Sequence, residues 1–446
     1  MNRKLSIASA LLLLLAGTTY AQTGELWLFS GQSNMELPIR RCMDVVADDV
    51  KDYSCDQLHY LKVPLTYNFD GPQKEMPGGS WETLSKPETA QEWGALCYYV
   101  GRYLHERTGK EISLLNSSVG GSPIEAWIPE SFLPDYALAE LKQCQDPEWM
   151  AKTLYHNAHL YSDWQEAHNA LPEDKKAGWS KVDAFGEWGL ENGEAVYGSH
   201  ILRNSFTLKA SQTKGDALLR LGAMVDADST FVNGHYAGNT TYMYPPRKYN
   251  VPAGYLKKGR NTVEVHLYSA ENPASFVKDK EYCLETSDGK VSLLEGWSYK
   301  PGRRMPKRDA QVFLQYKAAG LYNAMIAPLQ GMDFKGVVWY QGESNAGNPD
   351  NYGELLKTMI RSWRVLLRNE KLPFYIVELA SFEHSERETA ETSGWVRLQD
   401  IQRQVCEEME NVYLIPNRDL GEWNDIHPQD KKTLGARTAD IILNTR

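Results

Sequence analysis

Hydrophobic and polar positions follow two different rhythms along this chain. Leu26-Trp27-Leu28-Phe29 is an unbroken apolar run that stops at Ser30-Gly31. Such a run predicts a strand buried on both faces, as in a parallel sheet. Residues 36–90 are rich in Pro, Gly and Asp with little periodicity, and read as a long irregular loop. From Glu92 to Arg107, Leu96, Tyr99, Val100, Tyr103 and Leu104 recur at helical spacing, with Gly109 as a stop. Ile112 to Val119 predicts the next strand, ending at Gly120-Gly121. Strand, helix, strand is the order of a parallel crossover unit.

The rhythm shortens between residues 180 and 300. Phe206–Leu208, Ala217–Leu221, Thr230–Val232 and Thr262–Leu267 alternate in short runs separated by Gly, Asn and Pro. Val232-Asn-Gly-His235 reads as a hairpin turn, so this stretch predicts an all-β module, a sandwich or jelly roll. Parallel α/β character returns with a strand at 336–340, a helix at 350–369 and a strand at 374–379. A helix at 395–409, a strand at 412–415 and a last helix from 429 follow. The expected class is α/β, a doubly wound parallel sheet split in sequence. Its parts are residues 22–150 and 306–446, with a β insert at 151–305.

Composition adds a compartment and removes some partners. Arg3 and Lys4 precede an apolar stretch holding Leu11–Leu15, and a small residue, Ala21, ends it. Residues 1–21 therefore read as a signal peptide whose apolar core is too short to span a bilayer. The mature chain is expected to be secreted or periplasmic, with no membrane span. A formal charge of −10 argues against nucleic-acid binding. The 13 Trp and 25 Tyr are compatible with sugar-stacking surfaces. Six cysteines in an oxidising compartment are candidates for disulfides. Cys42 and Cys55, flanking a short loop-like segment, are the expected pair, whereas Cys97 and Cys406 lie in helical patterns and are expected as buried thiols.

Four loops carry candidate chemistry. Ser33 follows the first strand, Gly120-Gly121 the second, and Gln341-Gly342-Glu343-Ser344-Asn345 the strand at 336–340. The fourth is Trp423-Asn424-Asp425-Ile426-His427-Pro428. Open α/β sheets gather functional groups at the C-terminal strand ends, so the first three loops are expected to converge there. The fourth is expected to fold back over that edge. The set offers a hydroxyl nucleophile, backbone N–H donors, side-chain amides and an imidazole, which ester hydrolysis needs. Ser344 is a rival nucleophile, because Gly342-Glu-Ser-Asn-Ala346 approaches the Gly-x-Ser-x-Gly elbow. That elbow needs more strands before it than residues 22–150 supply. His156, His159 and His168 lack a zinc-motif spacing, and no phosphate-cradling motif is present. No metal or cofactor is expected.

These blocks resemble those of the SGNH hydrolases and, more narrowly, the sialate O-acetylesterase group. The resemblance rests on Ser30-Gly-Gln-Ser33-Asn-Met35, Gly120–Trp127, Trp339–Asn345 and Asn424–Pro428, with Tyr322–Pro328 before the third block. Phe231–Gly234 and Pro246–Pro252 in the insert are similar to a galactose-binding-type jelly roll. The resemblance implies a flavodoxin-like sheet, Ser33 as nucleophile and His427 as general base. It further implies an oxyanion hole from the N–H groups of Ser33 and of Gly120 or Gly121, together with the Gln341 amide, Asn345 being the reserve. The SGNH superfamily has Asp three residues before His, where this chain has Asn424. Asp425 is then the expected orienter of His427, with Glu343 as possible support or no carboxylate at all. The implied substrate is O-acetylated sialic acid. Acetylated xylan or another plant glycan is the alternative, and a non-catalytic glycan-binding protein is the reading of another class.

Overall fold

The computed structural model describes residues 24–172, 177–383 and 385–446, so the expected signal peptide lies outside the described residues. Seven strands form the main sheet: β1 (Glu25–Gly31), β2 (Cys55–Lys62), β3 (Glu82–Leu84), β4 (Ile112–Ser118), β5 (Phe334–Tyr340), β6 (Phe374–Val377) and β7 (Val412–Ile415). Their spatial order is β7-β6-β5-β1-β4-β2-β3, parallel throughout except for β3. Every residue of β1 is buried, as the apolar run predicts for a strand between two layers. The principal helices are α1 (Ala95–Thr108), α2 (Pro147–Ala170), α3 (Tyr352–Leu366), α4 (Gly394–Glu408) and α5 (Lys431–Asn444).

Register brings the three strand ends level. Gly31 pairs with Tyr340 of β5 on one side and with Ser118 of β4 on the other. From β1 the chain moves first toward β2 and β4, then returns to β5, so the order reverses between β1 and β5. Ligands favour such a switch point. Gly31 is required there: at φ +136° its missing Cβ would stand 2.0 Å from the Tyr340 carbonyl oxygen. Gln32 N–H can then donate to that carbonyl at 2.9 Å.

Residues 36–90 are more ordered than their composition suggests, holding a helix at Met43–Val50 as well as β2 and β3. Residue 151, the expected start of the insert, lies within α2. Asp146 caps α2 by accepting from Glu148 N–H, Pro147 occupies the first turn, and the helix runs to Ala170. Antiparallel strands begin at Ser180. A six-stranded and a four-stranded antiparallel sheet then share one core, with Leu202, Val263 and Val265 from the first and Leu219 and Leu284 from the second. The Asn233-Gly234 turn joins Ala227–Val232 to His235–Thr240, both turn residues having positive φ.

The expected Cys42–Cys55 disulfide is absent, and all six cysteines are free. Cys42 is buried at the foot of the Met43–Val50 helix, which separates it from Cys55 at the start of β2. No helix among the described residues is long and apolar enough to cross a membrane.

Candidate active site

Ser33 opens a short helix directly beyond β1, and His427 lies on the loop between β7 and α5. The two are 394 residues apart in sequence, yet Ser33 Oγ is 2.8 Å from His427 Nε2. With the ring proton on Nδ1, Nε2 accepts the hydroxyl hydrogen. Burial pulls the imidazole below its ordinary range, to about 4; Asp425 opposes this, while Lys431 and Arg41 add to it. At neutral pH the ring is thus a free base, the form that can take a proton from Ser33.

Asp425 is near the imidazole but not bonded to Nδ1. Its Oδ1 lies 3.9 Å from Nδ1 and accepts instead from His427 N–H at 2.9 Å. Its Oδ2 is drawn by Lys280 Nζ at 3.0 Å, a contact from the β module. Asn424, standing where the resemblance calls for Asp, donates its amide to the carbonyls of Lys278 and Asp279 at 3.0 and 3.1 Å. The His427 loop is therefore latched to the insert, and the Tyr244 ring of that insert meets the imidazole edge-on at 5.9 Å.

Of the two glycines, Gly120 lies against the nucleophile, and Gly121 follows it in the same turn. A Cβ on Gly120 would stand 3.4 Å from Ser33 Cβ, which places this turn against the serine. Gly120 N–H already donates to Glu36 Oε2 at 2.7 Å. Among the described residues no acceptor takes the N–H of Ser33 or of Gly121.

Gln341 does not match the role the resemblance implied. Its side chain is fully buried and donates to Ser122 O at 3.2 Å and Asn345 Oδ1 at 2.7 Å, while Tyr352 Oη donates to its Oε1. Both amide hydrogens are spent inside the fold. Asn345, the reserve, is likewise committed: it donates to Glu125 Oε2 and accepts from Ile124 N–H at 3.0 Å each. Ser344 Oγ donates to Gly121 O at 2.8 Å, so this rival serine braces the glycine turn and is not the one bonded to His427.

Glu343 and three residues the sequence did not single out complete the surroundings. Asn34 Nδ2 donates to Glu343 Oε1 at 2.6 Å and to Ile426 O at 2.9 Å. Lys431 Nζ donates to Asn34 Oδ1 at 2.8 Å and Pro428 O at 2.7 Å. Burial raises the Glu343 carboxyl to about 7, against the Asn34 hydrogen bond. Arg41, beside the site, has a buried Nε with no hydrogen-bond partner. Among the described residues no group of three or more His, Cys, Asp or Glu is placed to hold a metal ion.

Part of the chain is similar in sequence to known proteins, and most of it is similar in fold to one. Residues 308–444, which hold Glu343 and His427 but not Ser33, match the family of carbohydrate esterases described as sialic acid-specific acetylesterases. The chain is related to the sialate O-acetylesterases of mouse, at 35% identity over 131 residues, and of human, at 33% over 135. These alignments take in 26% and 27% of this chain and 24% and 26% of those proteins, so the chain spans about a quarter of the length of the curated relatives it matches. In fold it is similar to a carbohydrate acetylesterase from Xanthomonas citri, with a TM-score of 0.50 at 21% identity, over 95% of this chain and 57% of that one.

Proposed function

We propose that this chain is a serine ester hydrolase that removes O-acetyl groups from carbohydrate. In this reading the main sheet is a flavodoxin-like SGNH scaffold, the insert a jelly roll, and the mature protein works in the periplasm or outside the cell. One observation carries the reading: Ser33 Oγ lies 2.8 Å from the Nε2 of a histidine kept neutral by burial. The glycine turn beside the serine and the family match over residues 308–444 support it.

Ser33 Oγ attacks the acetyl carbonyl carbon as His427 Nε2 takes the hydroxyl proton. The carbonyl oxygen becomes an oxyanion, met by the N–H groups of Ser33 and Gly121. Collapse breaks the ester C–O bond, and the departing sugar oxygen takes the proton back from His427. Water then attacks the acetyl-Ser33 carbonyl with His427 as base, the acyl C–Oγ bond breaks, Ser33 Oγ takes the proton back from His427, and acetate leaves. The Asp425 carboxylate, 3.9 Å from Nδ1, stabilises the imidazolium through space. No step requires a metal or an organic cofactor.

The resemblance makes O-acetylated sialic acid the first substrate, and Arg41 supports an anionic sugar by placing a cation near His427. A second reading, a neutral acetylated plant glycan such as xylan, is favoured by a cavity of about 400 Å³ beside the glycine turn. Its walls include Glu125, Glu140, Tyr136, Tyr316, Asn345 and Asn348, and no lysine or arginine lines it. Acetate release from 9-O-acetyl sialic acid and from acetylated xylan separates the two, with Ser33→Ala as control. Ser33→Ala should cut turnover of either by several powers of ten, the scale of a lost nucleophile. A folded Ser33→Ala protein with near-wild-type turnover refutes the assignment. Binding of acetylated glycan by wild type with no acetate released at any pH favours a glycan-binding protein instead.

A further inference from the structure

A carboxylate bonded to Nδ1 usually fixes the histidine of such a site, and among the described residues none is bonded here. Something else must hold the ring against Ser33. We infer that Lys431 is a positioning residue that locks the segment carrying the nucleophile to the segment carrying the base, through Asn34 on one side and Pro428 on the other. The inference rests on the esterase reading and deepens it.

The geometry is specific. Lys431 is 1% exposed, and its Nζ bonds the residue after Ser33 and the residue after His427 from a single atom. It also lies 5.4 Å from the centroid of the Tyr340 ring, at the end of β5. Asn34 reaches back with Nδ2 to Ile426 O, the carbonyl on the other side of His427. The carbonyls flanking the base are thus both held, and Asn34 takes part in both anchors. Glu343 accepts the second Asn34 N–H, tying the loop after β5 into the same network.

An apolar side chain would fill this buried space at a lower desolvation cost than an ammonium. An ammonium, however, supplies three directed donors from one point. Burial draws Lys431 down to about 8, against the carboxylates of Glu343, Asp425 and Glu422 and the Cys42 thiol, so it is still charged at neutral pH. Its charge also helps keep His427 unprotonated, together with that of Arg41 and against that of Asp425.

The test measures turnover of 4-nitrophenyl acetate by the full chain as a function of pH, with thermal melts to establish folding. Lys431→Met should lower kcat roughly 10- to 100-fold, the scale of a small misplacement of reacting groups, with KM changed less than about twofold. Its acid limb in kcat/KM should move up by about half a pH unit, because one positive charge near the imidazole is gone. Asn34→Ala should lose kcat similarly with its acid limb unmoved, since the Lys431 charge remains. Lys431→Arg should recover part of the loss. A folded Lys431→Met enzyme with wild-type kcat and an unmoved acid limb overturns the inference. If Lys431→Met fails to fold, Asn34→Ala decides, and wild-type kcat there overturns it equally. Failure of the esterase reading shows separately, as a Ser33→Ala protein that turns over like wild type.

Discussion

Asp425→Asn isolates what the carboxylate beside His427 contributes. The asparagine keeps an oxygen for His427 N–H, now held at 2.9 Å, so the loop's local cap survives while the charge is removed. At 3.9 Å, and an effective dielectric of 20, a carboxylate attracts an imidazolium by about 4 kcal/mol. Lys280 Nζ, 3.0 Å from the other carboxylate oxygen, offsets part of this, and both side chains are partly exposed. A net of about 2 kcal/mol corresponds to roughly a 30-fold loss of kcat. An aspartate that grips Nδ1 is worth about 10⁴-fold, because its loss also releases the tautomer. The sign of the pH effect is set as well: removing a negative charge disfavours imidazolium, so the acid limb of the variant moves to lower pH. Initial rates on 4-nitrophenyl acetate from pH 3.5 to 8 measure both quantities. A loss near 10⁴-fold would refute the reasoning, since it would mean that Asp425 bonds Nδ1 during turnover.

Two further outcomes follow from the same site. The wild type should keep its kcat/KM well below the ordinary imidazole range, because a lowered His427 pKa leaves the free base present until the pH falls toward about 4; an acid limb at pH 6.5 or above contradicts this. Gly121→Ala should reduce activity at least tenfold and lower the melting temperature, as the residue has φ +76° and its Cβ would stand 2.1 Å from Tyr316 Oη. Wild-type values for that variant would show that the turn is free to shift.

Much of the scaffold was legible because burial leaves a pattern. β1, β5 and β6 lie between two layers, so Leu26–Phe29, Val337–Tyr340 and Phe374–Val377 had to be continuous apolar runs. β2 leaves no such run because it lies toward the sheet edge, and Asp56 and Gln57 at its start are exposed. Ser33 and His427 stood out by residue type and place at strand ends, and the structure brings their reactive atoms together. Side-chain direction was not legible. Gln341 has the right type for an oxyanion donor, but Tyr352 from α3 and Asn345 from its own loop turn its amide inward. Lys431 left no signal at all: after the helix cap Asp430, a lysine in a first turn reads as a solvated residue. Its role depends on the loop at 424–428 folding over it, which no local periodicity encodes.

The change at position 424 turns that last point into an experiment. If Asn424 were simply a lost triad carboxylate, Asn424→Asp should restore an orienter for His427 and raise activity. The contacts of Asn424 argue the reverse. Its amide is a donor to two carbonyls of the insert, Lys278 and Asp279, and it latches the His427 loop to the β module there. An aspartate would face both carbonyls with acceptors only, losing two hydrogen bonds at a partly exposed position, a cost of about 1–2 kcal/mol. The loop would then be loosened on the side where Lys280 holds Asp425 and Tyr244 meets the imidazole. Asn424→Asp should therefore lower kcat severalfold and leave the KM for 4-nitrophenyl acetate nearly unchanged. An activity above wild type would show that this position still addresses Nδ1, and that the insert is only an attachment. A loss would show that Asn424 serves the loop through its bonds to the insert.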